Sequence, residues 1–298
     1  MKFTVEYPVG GPDFDPLLLS RGGVRRVVTQ ADEAGFAALA LTEHPAPSLR
    51  WLQAGGHETL DLTTALAFFA AATERIGLMT YLLVLPYHNP FAAAKALTTV
   101  DLLSDGRLTV VAGTGYLKSE YRTLGIDFEA RNERFDESLH VMKGLWSAGA
   151  PYNFEGVHFA GRDVASLPKP VTAGGPPIVI GGNSALSRRR AAAHHGWSPL
   201  IVSEEVAATT RMPMLTIAML KEQIATLREA SPDAFVQVQT PQSDYLRGPM
   251  GVDEHRAHLH ELEAAGVDSF VVQLPVTSIA AAVDGLAAYA AEFLAPIS

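Results

Sequence analysis

Residues 101–146 decide the fold, and they read DLLSDGRLTVVAGTGYLKSEYRTLGIDFEARNERFDESLHVMKGLW. This pattern predicts a helix that ends at Leu103, a turn over Ser104-Asp105-Gly106 and a buried strand over Arg107–Gly113. The strand passes directly into Gly113-Thr114-Gly115, where two glycines leave the backbone bare of side chains. In a barrel of alternating strands and helices, this end of each strand carries the active site. The stretch therefore predicts a barrel with a loop that a flat ring or a phosphate can approach closely.

Strand and helix patterns alternate along the whole sequence. The predicted strands are Lys2–Pro8, Ala37–Thr42, Ile76–Leu85, Arg107–Gly113, Pro177–Gly181, Trp197–Val202, Phe235–Thr240 and Ser269–Leu274. The predicted helices are Arg21–Ala34, a helix from its cap Asp61 through Glu74, Pro90–Leu103, Arg131–Trp146, Ser184–His195, Met212–Ala230, Asp253–Ala265 and Ser278–Leu294. Eight such pairs favour a closed α/β fold, the (β/α)8 TIM barrel, over an open doubly wound sheet.

One segment interrupts the alternation. Ala148–Pro177 is rich in Gly and Pro, and its stretch YNFEGVHFAG has the pattern of a short hairpin. Because strands and helices resume after it, we interpret it as an insertion after helix four. We expect residues 1–298 to form a single domain with this insertion at about residues 148–177.

Composition excludes several classes of function. The 298 residues are 48% hydrophobic with a net charge of −9, whereas a nucleic-acid groove needs clustered Lys and Arg. The absence of cysteine excludes disulfides, thiolate metal sites and a cysteine nucleophile. The longest apolar run, Ile76–Pro86, is shorter than the ~20 residues of a membrane span. Because Lys2 already begins a strand pattern, we expect no signal peptide and a cytoplasmic location. We also expect the protein to act on a small-molecule substrate.

The second strand ends in an ionisable pair, Glu43-His44, followed by Pro45. A pair at a strand's C-terminal end lies at the mouth of the barrel. The imidazole of His44 has a pKa near working pH and could exchange a proton with a bound ring. Glu43 could orient that imidazole or lie in the layer beneath it. The alternative is a histidine with only a structural role at the rim of the core.

Two glycine-containing loops are candidate ligand sites. Gly113-Thr114-Gly115-Tyr116 follows strand four, and Tyr116 could stack on a ring or bond to it. Gly181-Gly182-Asn183-Ser184 joins strand five to a helix, whose start presents unpaired N–H groups suited to phosphate. An ordinary strand–turn–helix joint with a serine cap remains an alternative for the second loop.

Other polar clusters indicate structure rather than chemistry. Arg131, Arg134 and Asp136 have the spacing of a salt-linked helix start that fixes the preceding loop. The run Arg188–Arg190 is expected to be mostly solvated helix surface. The helical histidines His255, His258 and His260 are likewise expected on a solvated face.

A metal site is not expected. A metal-dependent hydrolase barrel would end its first strand in His-x-His, whereas strand one here ends in Tyr7-Pro8.

Taken together, SDGRLTVVAG with the following loop, Pro176–Ser184 (PPIVIGGNS) and Glu43-His44 resemble the luciferase-like flavin and deazaflavin oxidoreductases. The resemblance covers most of the chain from Lys2 to Trp197 and is greatest toward the probable coenzyme F-420-dependent subgroup. It implies a luciferase-like TIM barrel and hydride transfer between a deazaflavin and a small organic substrate. A homodimer is left open.

The same resemblance implies roles for individual residues. His44 would act at the ring, with Glu43 as a second catalytic candidate. A non-proline cis peptide would lie behind the ring, at Thr80-Tyr81 or one residue away. The loop residues Gly113, Thr114, Gly115 and Tyr116 would contact the ring. The residues Gly181, Gly182, Asn183 and Ser184 would hold the cofactor phosphate.

One position departs from the pattern. The sugar-phosphate dehydrogenases of this family have an acidic residue where Tyr116 stands, which argues against their proton chemistry here. Two alternatives stay open: an FMN-dependent monooxygenase that uses molecular oxygen, and a flavin- or deazaflavin-binding protein without turnover.

Overall fold

A computed structural model describes residues 1–11, 13–204, 206–207 and 212–294. Eight parallel strands close into a barrel in the order β1-β10-β9-β8-β7-β4-β3-β2. These strands are β1 (Lys2–Glu6), β2 (Ala38–Leu41), β3 (Gly77–Val84), β4 (Leu108–Gly113), β7 (Ile178–Gly181), β8 (Gly196–Ser198), β9 (Phe235–Val238) and β10 (Ser269–Gln273). The remaining two, β5 (Tyr152–Glu155) and β6 (Ala160–Val164), form a separate antiparallel hairpin. The predicted TIM barrel and the hairpin within the insertion are confirmed.

Helices surround the barrel and connect successive strands. They are α1 (Arg21–Glu33), α2 (Leu49–Gln53), α3 (Leu62–Ala72), α4 (Pro90–Leu103), α5 (Lys118–Thr123), α6 (Arg131–Ser147), α7 (Ala185–Ala192), α8 (Ile217–Ala230), α9 (Val252–Ala264) and α10 (Ile279–Phe293). Local signals explain where several begin. The carboxylate of Asp61 caps α3 by accepting from Thr64 N at 2.9 Å, and Pro90 occupies the first turn of α4, where its missing N–H is tolerated. No helix in the described part of the chain is long and apolar enough to cross a membrane.

Most predicted boundaries lie within one or two residues of the observed ones, and three do not. The helix predicted from Met212 begins only at Ile217, because Pro213 disfavours helix at the residue before it and Thr216 provides the N-cap. The helix predicted over Ser184–His195 ends at Ala192. The strand predicted over Trp197–Val202 pairs regularly only through Ser198. The short helices α2 and α5 were not predicted.

The barrel interior has two chemically different sides. We call β2, β3, β4 and β7 the apolar sector, because most of the inward apolar cluster comes from these strands. Its members are Ala38, Ala40, Met79, Tyr81, Val111 and Val179, which pack with Val271 of β10. We call β1, β10 and β9 the polar sector. There Thr4 Oγ1 donates to Gln237 Oε1 at 2.6 Å and lies 3.0 Å from Ser269 Oγ. One layer nearer the C-terminal mouth are Glu6, Gln273 and Gln239.

The predictions of solvated helix surface are wrong at two residues, Arg190 and His255. Arg190 is buried and forms a two-point ion pair with Asp136, at 2.6 and 2.7 Å, which ties α7 to α6. His255 is fully buried, stacks on Tyr245 with ring centroids 4.3 Å apart, and places Nε2 3.0 Å from Tyr289 Oη. Burial lowers the pKa of His255 to about 4. In both cases a neighbouring element covers the helix face, which its own periodicity does not reveal.

The start of α6 does fix the loop before it, as predicted. Arg131 donates to Phe128 O at 2.9 Å, and its guanidinium lies 3.9 Å from the centroid of the Phe128 ring. Arg134 lies 4.7 Å from the ring of Phe159. Arg134 also donates through Nε to Pro86 O at 3.4 Å, in the turn after β3, so both arginines hold loops in place.

Candidate active site

His44 lies at the C-terminal end of β2 and is paired with a buried acid. Its Nδ1 lies 3.1 Å from Glu120 Oε2, and the two side chains are 9% and 0% exposed. Glu120 also accepts from Ala46 N at 3.1 Å and from Tyr87 Oη at 3.1 Å. A carboxylate only accepts, so Nδ1 of His44 carries a proton toward Glu120 and Nε2 remains for proton exchange.

Aromatic rings enclose the same imidazole. The ring of Trp51 lies 4.4 Å from that of His44, His57 lies 5.0 Å away edge-on, and Tyr116 lies 6.4 Å away. Burial lowers the pKa of His57 to about 4, and the nearby charges of His44 and Arg247 act in the same direction. His57 is therefore neutral at pH 7. Its Nε2 is buried and has no hydrogen-bond partner among the described residues.

Glu43, the second predicted catalytic residue, bonds elsewhere. Its Oε2 accepts from Val84 N at 2.6 Å, and its Oε1 lies 2.8 Å from His88 Nε2. Burial alone would lower the pKa of His88, but the hydrogen bond and charge of Glu43 outweigh it and raise that pKa. Of the two positions foreseen for Glu43, the geometry matches the layer beneath His44, where the carboxylate holds β3. Its catalytic role stays a prediction.

The third strand contains the expected non-proline cis peptide, and it lies one residue after Thr80-Tyr81. The cis peptide joins Tyr81 to Leu82 instead of Thr80 to Tyr81, and the register of β3 against β4 shifts between Thr80 and Leu83. Thr80 is fully buried, and its hydroxyl donates to Val111 O at 2.7 Å. Because Thr80 is committed to β4, Tyr81 and Leu82 are the bulge residues whose side chains enter the barrel.

Leu82 covers two of the glycines that were expected to be bare. A Cβ on Gly113 would lie 2.9 Å from the Leu82 methyl groups, and one on Gly181 would lie 2.5 Å from Leu82 Cδ2. Both distances are too short for a real contact. These two glycines therefore make room for Leu82, and any ligand at this side of the mouth meets that side chain as well as the glycine backbone.

The loop after β4 is held from below. Gly115 has a φ of +65°, and a Cβ there would lie 2.6 Å from Val84 Cγ1. The buried Tyr121 donates its hydroxyl to Thr114 O. Tyr116 is 40% exposed; burial and the charge of Glu120 raise its pKa, so it is a neutral phenol at pH 7. The loop thus presents the Tyr116 ring from a backbone that is anchored at Thr114 and packed closely at Gly115.

The joint after β7 combines a left-handed glycine with a capped helix. Gly182 has a φ of +102°, and Ser184 caps α7 by accepting from Ser187 N at 3.0 Å. Asn183 uses its whole amide, donating to Leu200 O and Pro213 O at 2.7 and 3.0 Å and accepting from Leu200 N at 2.9 Å. A phosphate here would be met by backbone N–H groups and the Ser184 hydroxyl, while the Asn183 side chain is engaged within the protein.

The structure thus brings His44, Tyr116 and the two glycine loops to one end of the barrel. Sequence reasoning missed Glu120, Trp51, His57 and Tyr87, which surround His44. Glu120 lies in the short helix α5, which was not predicted, and no local pattern placed its carboxylate beside His44. The loops that carry these residues come together above β2 only in the folded barrel.

A (β/α)8 barrel with a paired histidine, a bulged third strand and glycine loops after β4 and β7 has the features of a cofactor-binding oxidoreductase. The family model for luciferase-like monooxygenases matches residues 19–212. The chain belongs to the luciferase-like monooxygenase family, as the sequence resemblance had indicated.

Similar proteins include both deazaflavin and flavin enzymes. An F420-dependent glucose-6-phosphate dehydrogenase of Beutenbergia cavernae is 34% identical over 145 residues, covering 47% of this chain and 41% of that protein. An FMNH2-dependent dimethylsulfone monooxygenase of Pseudomonas putida is 29% identical over 154 residues, covering 49% and 39%. The chain thus aligns with about two fifths of each relative's length. A monooxygenase structure from Streptomyces bottropensis superposes with a TM-score of 0.77 at 19% identity, covering 99% of both chains.

Proposed function

We propose that this protein is an oxidoreductase that transfers a hydride between the deazaflavin coenzyme F-420 and a small organic substrate. The observation that carries the proposal is the buried His44–Glu120 pair at the mouth, beside the loops after β4 and β7. The similarity to an F420-dependent dehydrogenase supports a deazaflavin, the similarity to an FMNH2-dependent monooxygenase supports FMN, and we choose the deazaflavin on the sequence resemblance to the F-420-dependent subgroup.

The chain's own residues divide the work. When bound, the deazaflavin supplies the carbon that accepts or gives the hydride. The loop 113–116 and the β3 bulge would support the ring, and Gly182 with Ser184 would receive a phosphate at the start of α7. His44 would take the substrate proton at Nε2, and Glu120 would stabilise the resulting imidazolium through Nδ1–H. Trp51 and His57 would exclude water from that transfer.

The residues beside His44 also support proton transfer by His44 alone. Tyr116 stands where the sugar-phosphate dehydrogenases have an acidic residue. The carboxylate of Glu120 instead contacts Nδ1 of His44, the ring nitrogen that lies away from the proton-exchanging Nε2. The acid therefore tunes His44 and does not itself face the substrate. We accordingly expect proton transfer through a single residue, His44, and no sugar-phosphate dehydrogenase activity.

Titration of the purified protein with F-420 and with FMN, by calorimetry, tests the cofactor. The proposal expects tighter binding of F-420. Tighter binding of FMN would overturn the proposal and favour the FMN-dependent monooxygenase alternative. The similarity to an FMNH2-dependent enzyme supports that alternative. A protein that binds F-420 tightly but exchanges no hydride with any member of a panel of alcohols, ketones and enones would be a binding protein without turnover.

A further inference from the structure

The polar sector holds a carboxylate that the proposed hydride transfer does not use. Glu6 ends β1 and points into the barrel. Its Oε2 accepts from Gln273 Nε2 at 2.8 Å and from Gln239 Nε2 at 3.4 Å. Its Oε1 has no hydrogen-bond donor within the described residues, although Glu6 is only partly exposed at the mouth. One oxygen of this carboxylate is thus held and oriented, while the other is available.

The positive charge of Arg247 acts on Glu6 from the end of β10. Arg247 donates through Nε to Leu274 O at 2.7 Å, which fixes its guanidinium at the end of β10. Burial raises the pKa of Glu6, and the hydrogen bond from Gln273 and the charge of Arg247 offset only part of that rise. Within the described residues the cluster therefore offers a free acceptor oxygen and a guanidinium held at the end of β10 that forms no ion pair with it. A hydroxyl group, which both donates and accepts, matches that combination, while an ammonium group would meet the charge of Arg247.

This cluster and His44 lie at the ends of adjacent strands, because β1 pairs with β2. Tyr81 Oη donates to Gln239 Oε1 at 3.1 Å, so the β3 bulge touches the amide that bonds to Glu6. His57 lies 5.0 Å from His44 and also within the field of Arg247. The glycine loops lie at the ends of β4 and β7, in the other sector. Because β1 and β2 are neighbours in the barrel, with Glu6 in register with Ala40, a molecule in front of a ring held by those loops would meet His44 and Glu6 from two adjacent strands.

We propose that Glu6 is a specificity-determining residue, whose Oε1 accepts a hydrogen bond from a second, non-reacting hydroxyl group of the substrate. The substrate is accordingly a small neutral molecule that carries a hydroxyl beside the group that reacts at His44. This inference rests on the proposed function for the position of the ring. It adds the class of substrate and the residue that selects it.

Three isosteric probes test the assignment without knowledge of the natural substrate. Propane-1,2-diol, butan-2-ol and 1-aminopropan-2-ol share one secondary alcohol and differ in the second group, which is hydroxyl, methyl or ammonium. Each is titrated into the F-420-loaded protein, and binding is followed by the fluorescence of the cofactor. We expect the diol to bind about tenfold more tightly than butan-2-ol, because the alkyl analogue leaves Glu6 Oε1 unpaired. The amine is expected to bind more weakly than the diol.

Two variants connect the preference to Glu6. Glu6→Met removes the acceptor and should reduce the preference for the diol to about onefold, with unchanged affinity for F-420. Glu74→Met is the matched control, since it makes the same change at an exposed carboxylate beyond the opposite end of the barrel. It should retain the wild-type preference. If Glu6→Met does not fold, Glu6→Asp, which withdraws the carboxylate by one methylene, should weaken the preference in the same direction.

Every other result overturns the inference. These are a wild-type preference for butan-2-ol or for the amine, binding of none of the three probes, or an unchanged preference in the Glu6 variants. A loss of F-420 binding in Glu6→Met would move Glu6 into the cofactor site and overturn the inference while leaving the proposed function standing. Failure of the wild-type protein to bind F-420 would instead overturn the proposed function itself.

Discussion

The two sectors of the barrel mouth are built from different parts of the chain. In the apolar sector the features are backbone features: a bulge in β3, glycines that accommodate Leu82, a left-handed Gly182 and the capped start of α7. In the polar sector they are side-chain features, a carboxylate held by two amides beside an arginine. A site built from backbone groups suits a ligand that stays the same, such as a cofactor. Its positions accept only glycine or a helix-capping residue. A side-chain site can change its specificity by single substitutions.

The largest expected effect lies where the sectors meet. His44→Ala should lower turnover by roughly 10²–10⁴, the range for loss of a proton-transfer group. Steady-state assays with F-420 and any alcohol that the wild-type protein oxidises would measure the loss. Affinity for F-420 should change little, whereas the melting temperature should fall, because the variant leaves the buried carboxylate of Glu120 without its imidazole partner. Wild-type turnover in the variant would reduce His44 to a structural residue.

His57 predicts a pH dependence of stability. Its pKa is about 4 in the folded protein against 6.5 in the unfolded chain, so below pH 6.5 the unfolded state binds a proton that the folded state does not. The contribution of neutral His57 to the free energy of unfolding is therefore complete above pH 6.5. It falls as the pH decreases toward 4, by up to roughly 3 kcal/mol. Urea unfolding at pH 7, 5.5 and 4.5 should show a smaller decline for His57→Gln than for wild type. Equal declines would show that His57 titrates normally.

Ser184 provides a charge test of the phosphate position. Asp and Asn both cap helices well, so Ser184→Asp and Ser184→Asn should fold alike and differ only in charge. If the cofactor phosphate lies at the start of α7, the Asp variant should bind F-420 about tenfold more weakly than the Asn variant at low salt. The difference should shrink as salt is added. Equal affinities for the two variants would place the phosphate elsewhere, with the loops after the last two barrel strands next to be tested.

The smallest effect concerns the packing of the apolar sector. Gly181→Ala would place a Cβ 2.5 Å from Leu82 Cδ2, so Leu82 must move, at a cost of about 1 kcal/mol in the free energy of unfolding. Adding Leu82→Ala should abolish that cost relative to Leu82→Ala alone, and a double-mutant cycle would measure the coupling. Gly149→Ala, where nothing lies within 4 Å, is the matched control. Additive effects of the two changes would mean that Leu82 does not explain the glycine.

Much of the secondary structure could be predicted from the sequence, because it depends on interactions between residues that are close along the chain. The alternation of strands and helices, the start of α4 at Pro90 and the caps Asp61 and Ser184 depend on residues within one turn or one strand of each other. The glycine loops after β4 and β7 could be recognised for the same reason. His44 was found because the end of a parallel strand has a known position in a barrel, whatever surrounds it.

What surrounds the site was decided only by the tertiary structure. Glu120 reaches His44 across 76 positions of the chain, and Glu43 turns to His88 across 45. The burial of Arg190 and His255 likewise depends on helices that are distant in sequence. Periodicity states which face of an element is apolar, but it does not state which neighbour covers a polar face. Closure of the barrel brings β1 beside β10, and so creates the cluster of Glu6 and Gln273 from residues 267 positions apart.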